Sequence, residues 1–252
     1  MKWYRMGAEQ GLADAQYNLG IMYYEGKGVA QDYSAAMKLY RMAADQGHAQ
    51  AQCNLGRMYY SGQGVAQDYS AAMKWYRLAA DQGNAQAQCN VGSMYYNGPG
   101  VAQDDSAAMK WWRMAADQGY AQAQNYLGHL YDNGHGVAQD YSAAMKWYQM
   151  AADQGNADAQ CNLGVGYRNG QGVAQDYSAA MKWSRMAADQ GDAIAQFSLG
   201  GMYYRGKVLA QDYAAAMKWY RMAADQGDAE AQYNLGIMYY KGQGVAQDYS
   251  AA

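Results

Sequence analysis

A Gln-Gly pair returns every 36 residues along this chain, with its glycines at Gly47, Gly83, Gly119, Gly155, Gly191 and Gly227. A period of this length marks a repeat architecture, in which each copy is one supersecondary piece that buries its apolar side only against its neighbours. Counting from Leu12 gives full repeats at 12–47, 48–83, 84–119, 120–155, 156–191 and 192–227, with partial repeats at 1–11 and 228–252. The whole chain, 1–252, reads as a single solenoid. Its length is 7 × 36 = 252, so the last residue would run into the first without loss of register.

Each repeat reads as two helices. In the first, helix A is expected from Ala13 to Tyr24, followed by the loop Glu25-Gly26-Lys27-Gly28-Val29-Ala30-Gln31. Asp32 stands where an N-cap belongs, helix B runs from Tyr33 to about Gln46, and Gly47 is the left-handed C-cap. Asn84, Asn156, Asp192 and Asp228 stand ready to cap later copies of helix A. No segment alternates with the period of a strand. Gly20 and its counterparts, Gly128 among them, fall inside helix A, where each costs about 1 kcal/mol relative to Ala. Close approach of helix B is the expected reason. The core face of helix A is Ala13, Ala15, Gln16, Leu19, Gly20 and Tyr23. Helix B carries two apolar stripes, Tyr33, Ala36, Met37, Tyr40 and Ala44 against Leu39 and Met42, with Ser34, Lys38, Arg41 and Asp45 as the polar strip between. The expected fold is all-α, an α/α superhelical solenoid of 36-residue helix-turn-helix repeats.

The run Ala-x-Ala-Gln-Tyr-Asn-Leu-Gly-x-Met-Tyr-Tyr-x-Gly-x-Gly-Val, then Asp-Tyr-x-x-Ala, then Trp-Tyr-Arg-x-Ala-Ala-x-Gln-Gly, recurs along the whole chain. It resembles the Sel-one-like repeat (SLR), a relative of the tetratricopeptide repeat. The resemblance implies a protein–protein interaction scaffold or adaptor without catalytic activity or cofactor, of a kind often exported in bacteria. Two departures stand out. Ala30, Ala66, Ala102, Ala138, Ala174, Ala210 and Ala246 occupy a loop position where the family usually has Pro, and Val208 replaces the second loop glycine. A β-branched residue does not adopt positive φ cheaply, so the loop at Val208 is expected to differ.

Helix B hardly varies between repeats, whereas helix A varies at Asp14, Tyr17, Ile21 and Tyr24 and their counterparts. The spacing i, i+3, i+7, i+10 places these on one helix face. In tetratricopeptide proteins the concave groove is lined at five and two before, and two and five after, the Leu of Leu-Gly-x-x-Tyr, and the variable positions share those offsets from Leu19 and its counterparts. The candidate groove residues are Tyr24, Arg57, Tyr60, Ser93, Tyr96, His129, Asp132, Arg168, Phe197 and Tyr204, with Asn54 and Asn90 from a row of carboxamides beside them. Two readings of the stripe stand: a groove that selects a protein or peptide partner, or drift on a solvated face. The Tyr, Ile, Phe and Val in it favour the groove. The Asn row either clamps an extended backbone or satisfies the scaffold.

A formal charge of −3 gives no reason to expect nucleic acid, and no apolar run is long enough to span a bilayer. Cys53, Cys89 and Cys161 share one phase of the repeat, at about 10 Å spacing, too far for disulfides, and are expected as buried inert thiols. His129 and His135 share a repeat without the further donors of a metal site. Gly201 to Lys207 has phosphate-loop spacing but begins inside a helix and ends at Val208, so it is set aside. The Trp row is expected in the core. The chain shows no export leader, which reads as cytoplasmic as it stands, or periplasmic or secreted if a signal lies upstream. The partial repeats at either end raise head-to-tail self-association as an expectation. A periplasmic or secreted cell-wall or glycan-binding protein is the alternative function.

Overall fold

The computed structural model describes residues 1–208 and 210–251. Among these the chain forms fourteen helices and no strand: α1 (Lys2–Glu9), α2 (Ala13–Glu25), α3 (Tyr33–Asp45), α4 (Ala49–Ser61), α5 (Tyr69–Asp81), α6 (Ala85–Asn97), α7 (Asp105–Asp117), α8 (Ala121–Asn133), α9 (Tyr141–Ala152), α10 (Ala157–Asn169), α11 (Tyr177–Asp189), α12 (Ala193–Arg205), α13 (Tyr213–Asp225) and α14 (Ala229–Lys241). Among the described residues no helix is long and apolar enough to cross a membrane. Two compact units are distinguished, Met1–Ala123 and Gln124–Ala252. In the first, α2 packs between α1 and α3, and α4 between α3 and α5, each helix A against the preceding and the following helix B. In the second, α10 lies between α9 and α11, and α12 between α11 and α13, in the same way. Both units are α/α solenoid stacks.

The local signals act as the sequence implies. Asp32 has extended backbone and its carboxylate accepts the Ala35 amide at 2.9 Å, a side-chain cap repeated at Asp68, Asp104, Asp140, Asp176 and Asp212. Asn84, Asn156, Asp192 and Asp228 cap their helices through the amide three residues on, and the His48 Nδ1 does the same for Ala51. At the end of α3 the Gly47 amide donates to Ala44 and the His48 amide to Ala43, which closes the helix as a Schellman motif. The mid-helix glycines let helix B come close: a Cβ on Gly128 would stand 2.5 Å from the Tyr148 ring.

Two interactions tie repeats together that no single helix reveals. The buried Gln52 donates to the Ala44 carbonyl at 3.1 Å and accepts from Gln82 at 2.7 Å, so one carboxamide links the end of the previous helix B to its own. Gln196 does the same between Ala188 and Gln226. Such carbonyls have no partner within their own helix, and leaving one buried and unmet costs about 1–3 kcal/mol. Arg41, assigned to the polar strip by spacing, instead lies half-buried. Its guanidinium stands 4.8 Å from the centre of the Trp75 ring and donates to the Tyr59 hydroxyl at 2.6 Å, both in the next repeat. Arg185 is placed identically on Trp219 and Tyr203. Trp75, Trp183 and Trp219 are buried, Trp111 and Trp147 half-buried, and Trp3 exposed. Met42 also departs from its expected stripe: it is 47% exposed, because Tyr40, Ala43 and Ala44 take the neighbouring surfaces.

Candidate functional site

In the unit Met1–Ala123 the helix A stripe runs through Tyr24, Arg57, Tyr60, Ser93 and Tyr96. Arg57 lies with its guanidinium 4.8 Å from the centre of the Tyr24 ring, and the Tyr24 hydroxyl donates to Gln63 at 2.6 Å. The Arg57 Nε is buried without a hydrogen-bond partner. Tyr60 is exposed and meets Tyr69 edge-on at 5.2 Å, while Tyr96 packs on Trp112 at 5.3 Å. The Ser93 hydroxyl donates to the Cys89 carbonyl within its own helix. Gln50 donates to Gln86 at 3.0 Å, so equivalent stripe positions of successive repeats are in contact.

In four repeats the second position of the stripe lies deep. Cys53, Cys89, Asn125 and Cys161 are buried. Burial pushes the thiols of Cys53 and Cys89 up to about 12, and that of Cys161 well above its usual value, with Asp192 adding to it. All three are free, unreactive thiols at neutral pH. Asn54 is buried. Two members of the Asn row make contacts to the preceding repeat. Asn90 donates to the Cys53 sulfur, and Asn162 to Asn125.

In the unit Gln124–Ala252 the stripe passes through His129, Asp132, Arg168, Phe197 and Tyr204. Asp132 is half-buried beside Tyr148, and burial holds its carboxyl above the usual range, opposed by His129 and by the Tyr148 hydrogen bond. His129 is held below its ordinary value by burial and by His135, whose ring centre is 6.1 Å away. Farther along, Arg168, Phe197 and Tyr204 line one cleft of about 460 Å³. The Arg168 guanidinium is braced by the Ser198 hydroxyl at 3.1 Å and Asn169 at 3.3 Å, and Phe197 lies against Tyr220 at 5.7 Å. Tyr177, Arg205 and Lys207, which lie outside the expected stripe, are also part of its wall.

The cleft comes from two departures in one repeat. Gly201 stands where other repeats carry Ile21, Arg57 or Val165, and leaves that volume empty. The second departure is Val208. Counterparts Gly64, Gly100, Gly172 and Gly244 have φ between 69° and 76°, and a Cβ on any of them would fall within 2.7 Å of the tyrosine that opens the preceding repeat's helix B. Among the described residues no side-chain-bearing residue has positive φ, so Val208 does not follow that path. The turn is looser before it: Lys207 donates to Met202 at 3.4 Å, where Gln171 donates to Gly166 at 3.0 Å. The equivalent tyrosine, Tyr177, lines the cleft, with the Lys207 ammonium 5.3 Å from its ring centre. The sequence carried this signal as two exceptions to the repeat, Gly201 and Val208, though neither looks like a binding residue.

The chain matches the Sel1 repeat model at residues 1–12, 13–48, 49–84, 85–120, 121–156, 157–192, 193–228 and 229–252. It is similar in structure to a protective antigen of uropathogenic Escherichia coli strains displaying an SLR fold, with 41% identity and a TM-score of 0.86 over 100% of this chain and 54% of that one. The chain therefore spans about half the length of that antigen. A Sel1 repeat protein from Oxalobacter formigenes has 36% identity and a TM-score of 0.81 over 85% of this chain and 88% of its own. An immunity protein of Pseudomonas aeruginosa has 25% identity and a TM-score of 0.58 over 87% of this chain and 82% of its own. No curated protein matches. With repeat motif, helical pairing and solved neighbours in agreement, the chain belongs to the Sel1 repeat family.

Proposed function

We propose that this protein is a non-enzymatic scaffold that holds a protein or peptide partner along the helix A stripe. Sel1 repeats commonly serve as protein-interaction scaffolds. The observation that carries the reading is the convergence of Arg168, Phe197 and Tyr204, from successive repeats, on one cleft of about 460 Å³. That volume lies in the range of roughly 300–1,000 Å³ typical of ligand sites, and Arg and Tyr are the side chains on which binding energy concentrates. The thiols are buried, with pKa values pushed well above neutrality, and so are not poised as nucleophiles.

The test is a random-peptide display selection on the immobilised chain, followed by binding of the selected peptides to a variant carrying Arg57→Ala, Tyr60→Ala and Tyr96→Ala, and to one carrying Arg168→Ala and Tyr204→Ala. Selected peptides are expected to lose about tenfold or more in affinity to one of the two variants, with helicity by circular dichroism unchanged. Peptides that bind both variants as well as the parent would refute the stripe as the binding surface.

A further inference from the structure

We infer that the cleft around Gly201 is a recognition site for a carboxylate of the partner, so that this repeat reads an acidic peptide segment; the inference rests on the partner-binding reading above. Three cations, Arg168, Arg205 and Lys207, line the cleft, and no Asp or Glu does. Among the described residues none of the three makes an ion pair; the one between permanently charged side chains joins Lys27 and Glu25. This concentration of positive charge stands out in a chain of net charge −3. Arg168 and Arg205 occupy the last turns of α10 and α12. There the helix dipoles offset about half a charge each, which leaves a surplus of roughly +2.

The cations are also presented rather than buried. Arg168 is held by neutral partners, Ser198 and Asn169, which fix its position without neutralising it. Lys207 rests against the face of Tyr177. A guanidinium so placed is suited to a two-pronged hydrogen bond with a planar carboxylate. The rings of Phe197, Tyr204 and Tyr177 supply apolar walls for the side chains flanking it. The cleft sets three cations beside apolar walls, a short-range pattern that suits a carboxylate with flanking side chains better than the long succession of charges in a phosphate backbone. Specificity here is tied to how the cleft forms: Gly201 vacates the space and Val208 takes the loop off the path its glycine counterparts follow.

The experiment uses the full chain and four probes in isothermal titration calorimetry. These are the peptide acetyl-Ser-Leu-Glu-Tyr-Glu-Ser-amide, its Gln-for-Glu counterpart, the Gln peptide with a free C-terminal carboxylate, and a single-stranded dT hexanucleotide. At low salt the acidic peptide is expected to bind about tenfold or more tightly than its amide counterpart, the preference shrinking as salt shortens the screening length to about 8 Å near 0.15 M. Arg205→Gln with Lys207→Gln should abolish the preference. So should Gly201→Ile, which fills the space without touching any charge. The free-acid Gln peptide separates the two sources. Binding equal to that of the acidic peptide assigns the site to a chain terminus, and binding equal to the amide assigns it to acidic side chains. Equal affinity for Glu and Gln peptides, a preference that survives both variants, or equal binding of the oligonucleotide would overturn the inference. Because the display-selected peptides are tested separately on the stripe variants, loss of acid preference with retained peptide binding removes the carboxylate site and leaves the scaffold reading intact.

Discussion

The repeats at 48–83 and 192–227 share a scaffold and differ at the same helix A position, where one has Arg57 and the other Gly201. In the first, the guanidinium covers the Tyr24 ring and the loop glycine Gly64 seats tightly on the backbone of Tyr33. In the second, the position is empty, Val208 takes the loop off that path, and a cleft lies between aromatic walls and three cations. The contrast teaches that such a scaffold makes a site by subtraction. One side chain removed and one backbone torsion forbidden turn a filled stripe into an open one, while the helices that carry it stay in place.

That contrast can be attacked at its glycines first. Gly128 and Gly201 are both helical, but a Cβ on Gly128 would clash with the Tyr148 ring at 2.5 Å, whereas one on Gly201 meets only the Tyr220 hydroxyl at 3.6 Å. Gly128→Val should therefore destabilise the chain by about 3 kcal/mol in urea unfolding, since overpacking against a buried ring has no cheap relief. No loss of stability there would mean that the helices do not approach as described. Arg57→Ala should cost about 1 kcal/mol, the worth of a partly exposed cation–π contact, and leave the secondary structure unchanged. Gly201→Ala should go the other way and stabilise by about 0.5–1 kcal/mol, because it restores helix propensity into empty space. A destabilising Gly201→Ala would show that the cleft is closed.

The smallest effect concerns pH. His129 is held below its ordinary value of 6.5, so the unfolded chain binds the proton better, and stability should decline as pH falls through that value toward the lower folded one. Asp132 is held above 3.8, so its contribution is present in acid and is lost as pH rises through its folded value. Nuclear magnetic resonance titration of the His129 imidazole checks the first, and His129→Gln should flatten the slope of stability against pH near 6. A titration at or above the ordinary value would sink this account of its surroundings.

Much of the scaffold was legible in the sequence. The Asp caps, the closing glycines and the mid-helix glycines are local signals whose meaning depends on residues within a turn or on a partner of nearly constant sequence. The stripe was legible as a face, but its depth was not. Tyr17, Cys53, Cys89 and Cys161 share its second position, and the cysteines are buried because the neighbouring repeat covers them. The same limit applies to Arg41, which reads as solvated on its own helix and is sandwiched by Tyr59 and Trp75 of the next repeat.

The sequence by itself determined the period, the two-helix repeat, the caps that bound each helix and the face on which repeats differ, because a 3.6-residue turn and a left-handed glycine are properties of short stretches of chain. The tertiary structure alone decided which residues of that face stay open and that Arg168, Arg205 and Lys207 share a cleft. Burial and charge pairing there depend on the volume of side chains about 30 to 40 residues away, brought alongside only when the helices stack.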